Sequence, residues 1–101
     1  MDHANALDRI VEERAIERIV FDYAYYLDMN MPEKMIELFV DDCEVSYAPN
    51  FGATGIEDYA KTRDGIGTFF RATSHNVSNI VIDWVSDSEA TLRAAVLAIH
   101  R

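Results

Sequence analysis

Residues 73–85 (TSHNVSNIVIDWV) and 89–100 (EATLRAAVLAIH) are two long β-patterned runs separated by Ser86, Asp87 and Ser88, and a hairpin of that length dictates what must surround it. Both of its faces carry apolar residues, and an isolated hairpin cannot leave either in water. A loop of two residues at Asp87 and Ser88, or of four on the same centre, pairs positions whose numbers sum to 175. His75 then lies opposite His100, on a face shared with Val77, Asn79, Val81, Val85, Ala90, Leu92, Ala94, Val96 and Ala98. Small residues facing the asparagine and the histidines leave room for a cavity. A three-residue loop would shift the register by one and separate the histidines.

The other face of that hairpin carries Ile80, Ile82, Trp84, Ala95, Leu97 and Ile99. The expectation is that the histidine face meets helices, and that Ile80, Ile82, Trp84, Leu97 and Ile99 meet a second copy in a homo-oligomer. The reverse assignment fits the same pattern.

Helices are available from the first half of the chain. Ile16, Ile19, Val20, Tyr23, Ala24 and Leu27 recur at spacings of three and four, predicting an amphipathic helix over residues 12–27 with a shorter helix over 4–11 leading into it. Asn30, Met31, Pro32 and Glu33 read as a capping box opening a short helix that buries Met35, Leu38 and Phe39. Cys43, Val45 and Tyr47 alternate with Glu44 and Ser46 as in a strand with one buried face. APNFGATG reads as a loop, and Thr54 with Glu57 as a second capping box, starting a helix weakened near Gly65 and Gly67. Helices, a strand, a helix and a hairpin make one α+β domain of 101 residues with helices packed on an antiparallel sheet. Tyr23, Tyr25, Tyr26, Phe69, Phe70 and Trp84 are read as core or interface.

Asp28 is out of place on this plan. A carboxylate near a helix C-terminus opposes the macrodipole, at a cost of a few tenths to about 1 kcal/mol. On the helical wheel it falls about 100° from Leu27, beside Ala24 and Phe21, at the edge of the expected cavity.

Composition excludes several functions. The net charge is −9, with twelve of the eighteen acids in residues 1–50, a field that repels phosphate backbones and anionic lipid, so no nucleic-acid partner is expected. The longest apolar run, residues 94–99, is far short of the roughly 20 residues of a membrane span. With no signal-peptide pattern either, a soluble, cytoplasmic protein is expected. Cys43 is the only cysteine, which rules out an internal disulfide, and His3, His75 and His100 show no metal-ligand spacing. No metal or other cofactor is expected.

YAYYLDMN (residues 23–30), ELFVDDCEVSY (37–47), the glycine before a helix at Gly55 and TSHNVSN (73–79) resemble the SnoaL-like branch of the nuclear transport factor 2 superfamily over nearly the whole chain. The resemblance implies a cone-shaped α+β fold whose curved antiparallel sheet wraps the helices around a deep apolar pocket. Within that branch the pattern is most similar to the scytalone dehydratase and hexachlorocyclohexane dehydrochlorinase families. Both imply a site aspartate at Asp28 and a site histidine at His75, and the first adds His100 and Tyr47. It also has a tyrosine immediately before the aspartate, where this chain has Leu27, a departure that bears on the substrate. Members usually continue for two or more strands beyond the position of Arg101, so the chain looks truncated and its last strand would present an open edge.

The function expected is a cofactor-independent lyase that eliminates water or a similar leaving group from a small, largely apolar or aromatic molecule. Asp28 would orient an imidazole, His75 or His100 would act as base, with His75 preferred, and Tyr47 would polarise a carbonyl or hydroxyl. Asn79 would anchor the ligand, and Phe21, Ala24, Val77 and Val96 would line its site. Two alternatives stand beside it: a noncatalytic binding or oligomer-building module of the same fold, and a polyketide cyclase or ketosteroid-type isomerase using a carboxylate base.

Overall fold

A computed structural model describes residues 3–49, 51–64 and 71–101. The elements are α1 (His3–Asp28), α2 (Pro32–Ile36), β1 (Glu44–Ala48), β2 (Phe51–Thr54), α3 (Ile56–Asp64), β3 (Thr73–Trp84) and β4 (Ala90–His100). Two antiparallel pairs, β1 with β2 and β3 with β4, pack with the helices in the expected α+β arrangement. Phe69, Phe70, Gly65 and Gly67 lie outside the described residues. Among the described residues, no helix is long and apolar enough to cross a membrane.

The expected pair of N-terminal helices is one continuous helix of 26 residues, since residues 4–27 hold no glycine or proline to interrupt it. Its end corrects the expected capping box. Asn30 has a left-handed φ of 54°; its N–H donates to Leu27 O at 3.2 Å and the Met31 N–H to Tyr26 O at 2.7 Å. These two bonds form a Schellman motif with Asn30 at C′, a position asparagine tolerates better than other side-chain-bearing residues. Met31, without a side-chain cap, precedes α2, whose first turn holds Pro32.

The expected loop after Tyr47 contains β2, which returns along β1 with a bulge between Ser46 and Ala48. Cys43 lies just before β1 and is partly buried. Gly55, at φ 84°, turns the chain from β2 into α3. The side chain that reaches back there belongs to Asp58, not Glu57, and accepts from the Thr54 N–H at 3.1 Å. Leu27, Met35, Ala53 and the fully buried Tyr59 form the core of this end of the molecule, with Tyr23, Tyr26, Phe39 and Val45 packed against it.

The long hairpin departs most from expectation. The Val85 N–H donates to Glu89 O at 2.8 Å, so three residues form the loop and the register begins one position from that expected. Trp84 faces Ala90 and Ile82 faces Leu92. Between Ser78 and Val81 the register slips by one more, at a bulge where Asn79 has φ 55°. Beyond it Val77 faces Val96, His75 faces Ala98 and Thr73 faces His100. Two single-residue slips restore the parity, and His100 returns to the face of His75, as a diagonal neighbour.

The bulge also overturns the expected second face. Half-buried residues are odd-numbered up to Val77 and even-numbered from Ile80, so Ile80, Ile82 and Trp84 turn to the same side as His75. That side is covered by α1. Trp84 Nε1 donates to Glu13 Oε1 at 3.0 Å, and the Arg9 guanidinium stands 3.9 Å over the indole. Leu97 and Ile99, paired with Asn76 and Ser74, lie on the outer side and are exposed. Ile80, Ile82, Trp84, Leu97 and Ile99 therefore do not form one surface for a second copy. Tyr25 is exposed as well.

The Schellman assignment has a direct check. Asn30→Ser, which would preserve an N-cap but not the left-handed preference, is expected to destabilise by about 1 kcal/mol, whereas Asn30→Gly is expected to be neutral or better. Urea unfolding of the two variants measures this.

Candidate active site

Asp28 occupies the last residue of α1, one turn after the buried Ala24. Three donors from the start of β3 converge on its carboxylate. His75 Nδ1 lies 2.6 Å from Oδ1, the Thr73 hydroxyl donates to Oδ1 at 2.9 Å, and the His75 backbone N–H donates to Oδ2 at 2.9 Å. The carboxylate that opposes the helix dipole is thus stabilised from outside the helix.

Both side chains are largely withdrawn from water, with 13% of His75 and 24% of Asp28 exposed. Burial alone would raise the Asp28 pKa, but the hydrogen bonds from the His75 ring, the His75 backbone and Thr73, with the attraction of His75, outweigh it and hold the carboxyl below its ordinary value. An ionised carboxylate accepts only, so it keeps the neutral imidazole proton on Nδ1 and leaves the Nε2 lone pair on the far side of the ring. Charge developing on that ring is then met by a neighbouring anion.

The remaining expected residues divide into those that gather here and those that do not. The His100 ring centroid is 5.7 Å from that of His75, the planes inclined by 53°. Val77 and Val96 face one another one step along the strands on the same side, Val96 being 55% exposed. Phe21, which shares the helical stripe of Ala24 and Asp28, is exposed. Asn79 sits at the bulge that re-phases β3, with φ 55°, and is exposed. Tyr47 is joined through its hydroxyl to Tyr59 at 2.8 Å.

Thr73 and Tyr59 were not singled out by the sequence. Thr73 stands two residues before His75, so alternation alone puts it on the histidine's side of the strand. The spacing of Ile56, Tyr59 and Ala60 puts Tyr59 on the apolar stripe of α3, where it is fully buried, but marks no role for its hydroxyl. A cavity of about 440 Å³ opens between Asp41, Thr54, Gly55, Ile56 and Glu57 and includes none of the residues around Asp28. Among the described residues, no group of three or more His, Cys, Asp or Glu side chains is arranged to hold a metal ion.

The sequence profile of the SnoaL-like domain matches residues 8–101. The chain belongs to the SnoaL-like family. Its solved relatives share the nuclear transport factor 2-like fold. A candidate scytalone dehydratase from Novosphingobium aromaticivorans is 68% identical to this SnoaL-like chain, with a TM-score of 0.89 over 92% of it and 62% of the other protein. The hexachlorocyclohexane dehydrochlorinase LinA-type3 from Novosphingobium barchaimii is 19% identical, with a TM-score of 0.83 over 94% of this chain and 66% of that one. ActVI-ORFA from Streptomyces coelicolor is 15% identical, with a TM-score of 0.74 over 84% and 66% of the two chains. At such identities these last two show the fold alone. The SnoaL-like chain spans about 62% of the length of the first of these structures. No curated protein sequence matches it significantly.

The lowered pKa of Asp28 makes the clamp a pH-dependent contribution to stability. A carboxyl depressed on folding stabilises fully above its unfolded value, about 3.9, and loses that contribution as the pH falls through the lower folded value. The difference in unfolding free energy between the native protein and Asp28→Asn is therefore expected to be largest near neutrality and to shrink below about pH 4. Urea titrations across that range measure it; a difference independent of pH would contradict the clamp.

Proposed function

We propose that this SnoaL-like domain is a cofactor-independent lyase that removes a proton and a neighbouring leaving group from a small, largely apolar molecule. The observation that carries the reading is the Asp28 carboxylate bound to His75 Nδ1 at 2.6 Å and fixed on its other sides by Thr73 and the His75 backbone. A histidine held in one tautomer by a half-buried acid is suited to abstracting a proton from carbon near neutral pH.

In the proposed reaction His75 Nε2 takes the proton. The electrons of the broken C–H bond become the new C=C bond, and the leaving group departs from the adjacent carbon with its bonding pair. The imidazolium is balanced by Asp28. His100, on the same side of the hairpin, is the group to hand a proton to a departing oxygen. Tyr47 offers a neutral donor to a carbonyl or hydroxyl of the substrate. The dehydratase name carried by the 68% identical relative supports the same class of chemistry.

A cyclase or isomerase of this fold would use a carboxylate as base. The lone pairs of Asp28 are engaged by three donors and its pKa is lowered, both of which weaken it in that role. Histidine is the better base here.

Asp28→Asn and His75→Gln are each expected to lower turnover by about 10²- to 10⁴-fold, with unchanged far-ultraviolet circular dichroism. The assay is the absorbance of the new C=C bond, or free halide, from small β-hydroxy carbonyl and halogenated alicyclic compounds. Turnover that survives both substitutions would remove the dyad from the mechanism, and retained ligand binding without any turnover would favour a noncatalytic module.

A further inference from the structure

Three phenols from three different elements meet at one point. Tyr23 of α1, Tyr47 of β1 and Tyr59 of α3 have hydroxyl oxygens separated by 2.8 Å (Tyr47 to Tyr59), 3.4 Å (Tyr23 to Tyr47) and 3.5 Å, the last a bond that Tyr59 donates to Tyr23. Tyr59 is fully buried, whereas Tyr47 is 43% exposed. The rings are braced, with Phe39 4.6 Å from Tyr59 and Tyr47 stacked on Tyr59 at 6.5 Å. Tyr23 and Asp28 both lie in the last two turns of α1, five residues and about 140° apart around the helix.

A phenol has one proton to give and lone pairs with which to accept. In the arrangement where Tyr59 donates to Tyr23, Tyr23 to Tyr47 and Tyr47 to Tyr59, the three bonds close a ring and no proton points outward. Two of its three sides are long, and a long hydrogen bond is readily exchanged. Rotation of the Tyr59 proton onto Tyr47, across the 2.8 Å contact, frees the Tyr47 proton for an acceptor on the exposed side. A hydroxyl that accepts one hydrogen bond also donates a stronger one. Burial, then the bonds with Tyr23 and Tyr47, push the Tyr59 pKa far above its ordinary range, so this residue stays a proton donor.

We propose that Tyr59 and Tyr23 are positioning residues that make Tyr47 a switchable hydrogen-bond donor for a ligand oxygen, carbonyl or phenolic. The identity of that oxygen as a substrate group rests on the elimination reading given above; the coupling between the phenols does not. Tyr47 touches the ligand, Tyr59 acts through Tyr47, and Tyr23 holds the resting ring.

The test uses 4-nitrophenolate, whose absorbance reports hydrogen bonding to its oxygen, titrated with the native protein and with Tyr47→Phe, Tyr59→Phe and Tyr47→Phe/Tyr59→Phe. Tyr47→Phe is expected to weaken binding about 10- to 100-fold and to abolish the spectral shift. Tyr59→Phe is expected to weaken it about 2- to 10-fold and to reduce the shift, with the double variant no weaker than Tyr47→Phe. Tyr23→Phe, which removes a partner without emptying the core, provides a second variant, and unfolding midpoints verify that each protein is folded. Effects of Tyr47 and Tyr59 that multiply, or an absence of nitrophenolate binding to the native protein, would overturn the proposal. Failure of the elimination reading would appear separately, as unchanged turnover in Asp28→Asn.

Discussion

A carboxylate stationed at the wrong end of a helix dipole holds this structure in register. Asp28 is the final residue of α1, and its oxygens accept from the Thr73 hydroxyl, the His75 backbone and the His75 ring. One side chain therefore satisfies an open backbone donor of β3, fixes where that strand begins against the helix and sets the tautomer of an imidazole. The Schellman turn at Asn30 stops the helix two residues later, which leaves Asp28 in the last turn, able to reach sideways. At the opposite end, Glu13 and Arg9 hold Trp84. The hairpin lies along the helix between these two fastenings.

The asparagine bulge explains how a strand with an uneven pattern can lie on one helix. Without it, Thr73, His75 and Val77 would face α1 while Ile80, Ile82 and Trp84 pointed away, and the hairpin would need a second cover. A single inserted residue turns both sets to the same side. Asn79, at the bulge, re-aims the strand so that both sets reach α1.

The contact between Asp28 and His75 was legible because both residues break local rules. A carboxylate at a helix C-terminus and a histidine in a strand are both unfavourable enough to suggest that each has a partner. The α+β layout followed from the switch between periods of 3.6 and 2. The bulge is only faintly marked in the sequence: the polar pair Ser78 and Asn79 interrupts the strand, and the apolar residues after it, Ile80, Val81, Ile82, Trp84 and Val85, stand at both odd and even positions. A fixed two-residue period, continued through that pair, put Trp84 on the wrong side. Asn30 was read as an N-cap because the same side chain suits a left-handed helix end, and only the backbone bonds distinguish the two. The tyrosine cluster had no linear signal, since its members come from α1, β1 and α3 and meet only in the folded chain.

The state of one ring carries the whole account. A long-range ¹H–¹⁵N spectrum of the imidazole of His75, recorded near neutral pH, reads its tautomer directly. With Asp28 as its acceptor, His75 is expected to carry a proton on Nδ1 that is strongly deshielded, and to lose that deshielding in Asp28→Asn. A ring protonated on Nε2 alone, or one indifferent to the removal of the carboxylate charge, would contradict the account.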